Sequence, residues 1–240
     1  MDPIEPLPPF RVRVSKRARY IQLKVSLLAQ VEVIVPREAD RRLAPIFVQQ
    51  HRDWLRLALR RARAERAADP DLDDPRPARI DLPAVGERWH VRYVPRLGRQ
   101  RYRARLVDGR GTLQVATEGD DVPDVLCTWL TARARVGLIP WLHRVSADTR
   151  LPFGAVSIRA QKTRWGSCST QRHISLNRNL MFLAPEVVRY LMIHELCHTV
   201  HLNHSRRFWA LVQRLCEDYR TLDQKLGQAA RSIPAWAFGE

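Results

Sequence analysis

The chain has 240 residues, enough for one or two domains with a sizeable apolar core. Its 41 lysines and arginines outnumber its 25 aspartates and glutamates, and the formal net charge is +16. There is no apolar run of about 18 residues and no basic, apolar leader, so we expect no membrane span, no membrane partner and no secretory signal. Four cysteines without a Cys-x-x-Cys pair are typical of reduced thiols in a cytoplasmic protein.

The N-terminal part of the sequence predicts strands followed by a helix. Alternating or β-branched residues predict strands over 10–14, 20–26 and 31–35. A helix is expected over about 38–67, with one buried apolar stripe. The members of that stripe are Leu43, Phe47, Trp54, Leu55 and Leu59. Segment 69–77 is rich in aspartate and proline, so we expect a linker near the end of an N-terminal β/α region over residues 1–80.

A second group of strands and a second helix follow this linker. The strands are expected over 88–94, 101–107 and 112–116. Asp108-Gly109 has the composition of a hairpin turn. The helix is expected from about Asp121 into the region of Ala147, with a break at 137–140 because a glycine and a proline fall there.

Two more strands are expected before the histidine-bearing segment 185–200. Segments 156–159 and 172–176 alternate in the manner of strands. Trp165-Gly166-Ser167 lies between them and is interpreted as a tight turn.

A metal-binding pattern then occurs in a segment that reads as one helix over 185–200. Residues four apart share one helix face, so His194 and His198 can direct two imidazoles at one metal ion. Glu195 lies beside them, where it can act on a water at that metal. Apolar residues cover most of the helix circumference, and a buried cluster of this kind is costly unless it is paired or bound to metal.

Two histidines compete to be the third ligand. If the helix continued, His201 would lie about 10 Å from His194 along the axis, which is too far for one ion. His204 avoids this problem if the helix ends near Leu202-Asn203 and the chain turns back. Ser205 is a good N-cap for a following helix, so we favour His204.

That following helix is expected to be amphipathic and to brace the metal-binding helix. Its apolar residues recur at three- and four-residue spacing, and arginines occupy the other face. The apolar residues are Phe208, Leu211, Val212, Leu215, Tyr219, Leu222 and Leu226.

Several of these motifs together resemble the YgjP-like metallopeptidases, a zincin-like family related to the SprT-like and WLM proteases. The matching segments are Arg164-Trp165-Gly166-Ser167-Cys168, Ile174-Ser175-Leu176-Asn177, Tyr190 to His198, Asn203-His204-Ser205 and Phe208-Trp209. The resemblance implies an α+β fold with a zincin-like core over about 150–226, inside a metallopeptidase region over 81–240. An N-terminal strand and helix extension precedes that region.

The resemblance also implies roles for particular residues. One Zn²⁺ per chain would be held by His194, His198 and His204, with Glu195 as the general base in peptide hydrolysis. By analogy with zincins, the strand around Ile174–Asn177 would be the edge that pairs with an extended peptide substrate. The candidate substrate contacts are Arg164, Trp165, Gly166, Ile174 and Asn177. Equally, Trp165 can be a core anchor and Asn177 a turn cap.

Other functions stay open at this level. The excess of arginine suits anionic substrates, so a zinc hydrolase acting on a nucleotide phosphoanhydride is one alternative. Clusters of arginine also make nucleic acid a candidate partner, as for a DNA-associated protease of the SprT or WLM kind. A non-catalytic nucleic-acid-binding protein with a structural zinc is a further alternative. That zinc would need a fourth protein ligand, and Cys197 is the nearest candidate.

Overall fold

A computed structural model describes residues 7–26, 29–67, 70–95, 104–107, 111–117, 121–161 and 164–239. The chain divides into two compact units, residues 1–70 and residues 71–240. Each unit has its own cluster of buried apolar side chains. None of the described helices combines the length and hydropathy that a bilayer span requires.

The N-terminal unit is a three-stranded sheet covered by two helices. Its strands are β1 (Phe10–Ser15), β2 (Gln22–Val25) and β3 (Val31–Pro36), in the order β1-β3-β2. β3 runs parallel to β1 and antiparallel to β2. The helices are α1 (Leu43–Gln50) and α2 (Arg52–Ala67). The strands and the extension that they form are therefore confirmed.

The helical part of this unit differs from the sequence prediction in two respects. One helix was expected, but the backbone departs from helical geometry at His51 and two helices result. Leu55 and Leu59 are buried as expected, together with Ala44 and Val48. Leu43 and Trp54 were expected in the buried stripe, yet they are 44% and 49% exposed. The sheet contacts only one side of each helix, and these two residues lie outside that side.

The second unit begins with a four-stranded sheet and a long helix. The strands are β4 (Arg79–Leu82), β5 (Glu87–Pro95), β6 (Ala104–Val107) and β7 (Thr112–Thr117), in the order β4-β5-β7-β6. β5 and β7 are parallel, and the other two pairs are antiparallel. The expected turn at Asp108-Gly109 lies outside the described residues.

The long helix, α3 (Val122–Thr149), runs without the break that was expected at 137–140. Pro140 removes the donor that would bond to the carbonyl of Val136, but Val136 is exposed and water can satisfy that carbonyl. Gly137 serves close packing instead, because a Cβ there would lie 2.8 Å from Val85 Cγ1. The expected break is therefore wrong.

A small sheet carries the segment that was interpreted as a turn. Its strands are β8 (Ala155–Arg159), β9 (Gly166–Cys168) and β10 (His173–Asn177), in the order β8-β10-β9. The turn interpretation of Trp165-Gly166-Ser167 is wrong, since Gly166 and Ser167 pair with β10. The reversal follows later, where the Ser169 hydroxyl accepts hydrogen bonds from two backbone N–H groups of residues 171 and 173.

Three helices complete the second unit: α4 (Pro185–Cys197), α5 (Arg206–Leu215) and α6 (Tyr219–Gln228). The amphipathic helix expected after Ser205 is thus two helices, because Cys216 takes an extended conformation between them. α4 packs against β9, α3, α5 and α6. Short 3-10 turns lie at 70–72, 83–85, 178–182, 229–232 and 235–238. The α+β prediction, with the His-bearing helix packed on a small sheet and a second helix, is confirmed.

Candidate metal centre

Helix α4 brings the first two histidines to one end of a buried helix. It begins at Pro185, whose missing N–H costs nothing at the first helical position, and Glu186 lies in the first turn. His194 lies in its last turn, and His198 caps its C-terminus. Nine of its residues are buried, so the helix axis is held by the core and the two rings have little freedom. The helix is shorter than expected, and Val200 beyond it is 54% exposed rather than buried.

His204 joins these two histidines in space. One ring nitrogen from each of His194, His198 and His204 lies within 4.8 Å of the others, and this is the only such group of three among the described residues. The Nε2 atoms of His194 and His204 are 3.2 Å apart. Two nitrogen ligands of one tetrahedral zinc lie about 3.3 Å apart, given Zn–N bonds of about 2.0–2.1 Å. The triad therefore fits a single zinc ion.

The loop between α4 and α5 places His204 beside the other two histidines, whereas His201 contributes a backbone carbonyl that contacts His198. The Ser205 side chain accepts a hydrogen bond from the Phe208 N–H and caps α5, as expected from the sequence. His201 is not in the triad, but its backbone carbonyl lies 2.9 Å from Nδ1 of His198. If Nδ1 carries the proton and donates there, Nε2 of His198 keeps a lone pair for a metal.

A second contact orients His194 in the same way. Tyr190 donates a hydrogen bond to Oδ1 of Asp223 at 2.8 Å, so its oxygen can accept from Nδ1–H of His194, 3.5 Å away. Nε2 of His194 then keeps its lone pair on the side of His204. Sequence analysis missed Asp223, which lies on α6, 29 residues after His194 and without a motif of its own.

Aromatic side chains of α5 pack around the imidazole rings. The ring of Phe208 stacks on His198 with centroids 4.4 Å apart, and the ring of Trp209 stacks on His204 at 5.5 Å. Because Phe208 is fully buried, it keeps water from one side of the cluster. α5 thus braces the triad, as the sequence predicted.

The histidines are held in the state that binds metals. Burial, and then the neighbouring His198 and His204, lower the pKa of His194 to about 4, against a small opposing effect of Asp223. Burial also lowers the pKa of His198. Both rings are therefore neutral at pH 7, and a neutral imidazole is the form that coordinates a metal ion.

Glu195 is a buried carboxyl group with an unused oxygen. It is 5% exposed, and its Oε2 has no hydrogen-bond partner among the described residues. Burial raises the pKa of Glu195 to about 8, although Arg164 opposes the change. A buried carboxylate without a partner is costly, and a cation or a water at the triad would relieve that cost. This orphaned oxygen is a second observation that fits a metal centre.

The backbone of β9 lies directly against this carboxyl group. A Cβ at Gly166 would be 2.6 Å from Oε1 of Glu195, so only glycine lets the strand approach so closely. β9 is an edge strand of its sheet, whereas β10 is paired on both sides. The expectation that the strand Ile174–Asn177 forms an edge is wrong. Its Ile174 side chain is fully buried, because β10 is the central strand and faces the core.

Asn177 instead holds the segment that leads into β9. Its amide donates to the backbone carbonyls of Gln161 and Arg164 at 2.7 and 2.8 Å, and its Oδ1 accepts from the Asn179 N–H. Trp165 is half-buried and packs against the core, while Arg164 is exposed. Asn177 is therefore a cap and Trp165 an anchor, the alternative that the sequence left open. Of the five candidate contacts, Arg164 and Gly166 remain beside Glu195.

No cysteine belongs to the group of possible ligands in the described part of the chain. Cys197 is fully buried, and burial raises the pKa of its thiol. A thiol ligand has to be deprotonated, so this environment disfavours Cys197 as a fourth ligand. A zinc ion bound by these three histidines alone would have one tetrahedral position open, as in catalytic rather than structural zinc sites.

Comparisons with known proteins identify a family for this chain. A solved structure of the metallopeptidase zymogen abylysin from Pyrococcus abyssi is 24% identical, over 38% of this chain and 94% of that chain, with a TM-score of 0.34. No curated protein matches the chain. The family model described as "YgjP-like, metallopeptidase domain" matches residues 19–229. Because that match covers most of the sequence, the chain belongs to the YgjP-like metallopeptidase family.

Proposed function

We propose that this protein is a zinc-dependent peptidase with His194, His198 and His204 as the metal ligands. The observation that carries the proposal is the convergence of these three histidines next to Glu195, whose buried Oε2 has no hydrogen-bond partner among the described residues. Membership of a metallopeptidase family supports it. When bound, zinc would supply a Lewis acid that polarises a substrate carbonyl and lowers the pKa of water.

Glu195 is the residue that moves the proton in the proposed mechanism. A cation held by the triad would lower the pKa of Glu195 and favour its carboxylate form. That carboxylate takes a proton from the attacking water through Oε2, which has no hydrogen-bond partner among the described residues. It then donates this proton to the leaving amine. Burial of Glu195 helps the first step, because a raised pKa makes the carboxylate a stronger base.

The substrate would lie along β9 in this proposal. β9 pairs with β10 on one side, and no described strand pairs with its other side. An extended peptide can add to such an edge through its backbone. Since Gly166 touches Glu195, a peptide on this edge would pass close to the general base.

The test combines metal content with hydrolysis. The Glu195→Gln variant should bind one equivalent of zinc, as the wild type does, and should lose about 100-fold or more of the activity on a fluorogenic peptide library. Unchanged hydrolysis by the zinc-loaded variant would show that Glu195 is not the base.

The same preparations separate peptide hydrolysis from the alternatives. Nucleoside triphosphates should not be hydrolysed in a manner that depends on Glu195. If they are, and no peptide is cut, the substrate class is a phosphoanhydride. Stimulation of peptide hydrolysis by added DNA would indicate a DNA-associated protease.

A further inference from the structure

Large apolar side chains are exposed mainly in the N-terminal unit. Among the described residues, six of the nine that are large, apolar and exposed lie before residue 60. Four of the six are on α1 and α2: Leu43, Ile46, Trp54 and Leu57, exposed by 44%, 55%, 49% and 50%. Single exposed apolar residues need no explanation, but a group of four on one helical layer indicates an interaction site.

The helical period places these four residues on one side of the layer. α1 packs on the sheet through Ala44 and Val48, and α2 packs through Leu55 and Leu59. At 100° per residue, Leu43 and Ile46 lie roughly 150° around α1 from its buried pair. Trp54 and Leu57 have the same relation to the buried pair of α2. Both exposed pairs therefore face away from the sheet, and we name the four residues the outer helix face.

Arginines flank the outer helix face on both helices. Arg42 precedes Ile46 by four residues, and Arg60 and Arg61 follow Leu57 by three and four, so each is a neighbour on the helix surface. All three arginines are exposed. α2 contains six arginines against one aspartate and one glutamate, a net charge of +4 over 16 residues. The partner of this face should therefore be anionic.

Contrary to the expectation from the sequence of no membrane partner, we propose that the outer helix face binds the surface of an anionic phospholipid bilayer. Three of its four apolar residues are aliphatic, and aliphatic side chains gain free energy from acyl chains but do not stack on nucleic-acid bases. Trp54 suits the boundary between headgroups and acyl chains, and the arginines suit lipid phosphates. The protein would lie on the membrane without crossing it.

The first experiment is co-sedimentation of the full, zinc-loaded chain with vesicles. We expect binding to vesicles of 30% phosphatidylglycerol in phosphatidylcholine at 100 mM salt, and much weaker binding to pure phosphatidylcholine. The expected reason is attraction between arginines and the negative surface within a Debye length of about 10 Å. Absence of binding to the anionic vesicles would overturn the proposal.

Matched variants locate the binding surface. Arg60→Gln with Arg61→Gln should weaken vesicle binding roughly tenfold or more, at about fivefold per arginine. Ile46→Ser with Leu57→Ser should weaken it about tenfold through lost apolar contact. The controls Arg144→Gln and Val136→Ser change equally exposed residues on α3 and should have no effect. Loss of binding in the controls, or none in the first two variants, would overturn the proposal.

Two further measurements exclude other partners. Tryptophan emission should shift to the blue on adding anionic vesicles, and the shift should be absent in Trp54→Phe, which retains the other six tryptophans. Fluorescence anisotropy with 30-nucleotide single-stranded and duplex DNA gives the competing result. If DNA binding is lost in Ile46→Ser with Leu57→Ser while vesicle binding is not, the face binds nucleic acid and the lipid proposal is wrong.

Discussion

At the scale of single residues, the histidines are oriented by partners that the motif does not contain. The proton on Nδ1 of His198 is directed to the carbonyl of His201, and that of His194 to Tyr190. Tyr190 stays protonated, because burial and the hydrogen bond to Asp223 raise its pKa. Such partners fix the tautomer that leaves Nε2 free, and their removal typically weakens metal binding.

Asp223 should therefore support zinc binding although it is not a ligand. We expect Asp223→Asn to weaken zinc affinity by about 10-fold or more, since the neutral amide is a weaker acceptor for the Tyr190 hydroxyl and its NH2 group can donate to the Tyr190 oxygen, which turns the hydroxyl proton toward His194. Competition with a chromogenic chelator measures the affinity. Asp218→Asn removes an exposed carboxylate just before α6 and is the control. Equal affinities in the two variants would show that Asp223 has no such role.

At the scale of elements, the close approach of β9 to α4 depends on one missing side chain. The Cβ of an alanine at position 166 would lie 2.6 Å from Oε1 of Glu195 and 2.9 Å from its Cδ and Cγ. The clash would therefore involve most of the Glu195 side chain and not its terminal atom alone. The surroundings of Glu195 are buried, so the carboxyl group cannot simply move aside. The position of the Glu195 carboxyl group is thus set by the strand.

Gly166→Ala should consequently lower peptidase activity while zinc remains bound. We expect a loss of about 100-fold, the order that follows from a misplacement of a catalytic group by about 1 Å. Activity and metal content are measured on the same preparation. Gly227→Ala is the matched control, because a Cβ there meets nothing within 4 Å. Full activity in Gly166→Ala would mean that Glu195 tolerates a different position.

An ion pair joins α3 to β5, and its contribution to the stability of the fold should depend on pH. Arg133 on α3 donates two hydrogen bonds to Glu87 on β5. Desolvation alone would raise the pKa of Glu87, but the bonds from Arg133 and Trp89 outweigh it and the pKa lies below its ordinary value. A depressed carboxyl pKa adds stability above the unfolded-state pKa, and that stability disappears as the pH falls through the folded-state pKa.

Glu87→Gln should hence destabilise the protein at pH 7 and not at low pH. We expect about 1 kcal/mol at pH 7, a modest value because the pair is partly exposed and screened by solvent. Urea unfolding at pH 7 and at about pH 3 measures the difference in the free energy of unfolding. The control is Glu186→Gln, because Glu186 forms an exposed ion pair with Lys225, with 3.8 Å between the charged atoms. A difference that persists unchanged at low pH would exclude the ion pair as its cause.

At the scale of the whole molecule, a metal ion bound by the three histidines would couple metal binding to folding. The three candidate ligands come from α4, its C-cap and the loop before α5, so they converge only in the folded chain. A ligand that binds the native state alone stabilises it by about 2.7 kcal/mol at 100 times its Kd. Zinc removal should therefore lower the Tm.

The histidine variants test this coupling. Zinc should raise the Tm of the wild type and of His201→Ala by several degrees, since His201 contributes only its backbone carbonyl. His204→Ala should show little or no rise, because only two ligands remain. Differential scanning calorimetry with and without excess zinc provides the comparison. A normal rise in His204→Ala would remove His204 from the site.

Features set by neighbours along the chain were predictable from the sequence. The positions of His194 and His198 on one helix face, the Ser205 cap and the strands of the N-terminal unit all depend on local periodicity or local hydrogen bonds. The choice of His204 over His201 also followed from the rise of a helix and the need to end it.

Features set by distant parts of the chain required the tertiary structure. Strand order decided that β10 is central and that β9 is the edge, and alternation along a strand carries no information about its neighbours. The contact of Asp223 with Tyr190, the fit of Gly166 against Glu195 and the exposure of Trp54 each depend on which surfaces meet. The sequence by itself therefore determined the candidate ligands and the candidate base, because they lie within 11 residues of one another. Only packing between remote segments decided how these side chains are oriented and which strand borders them.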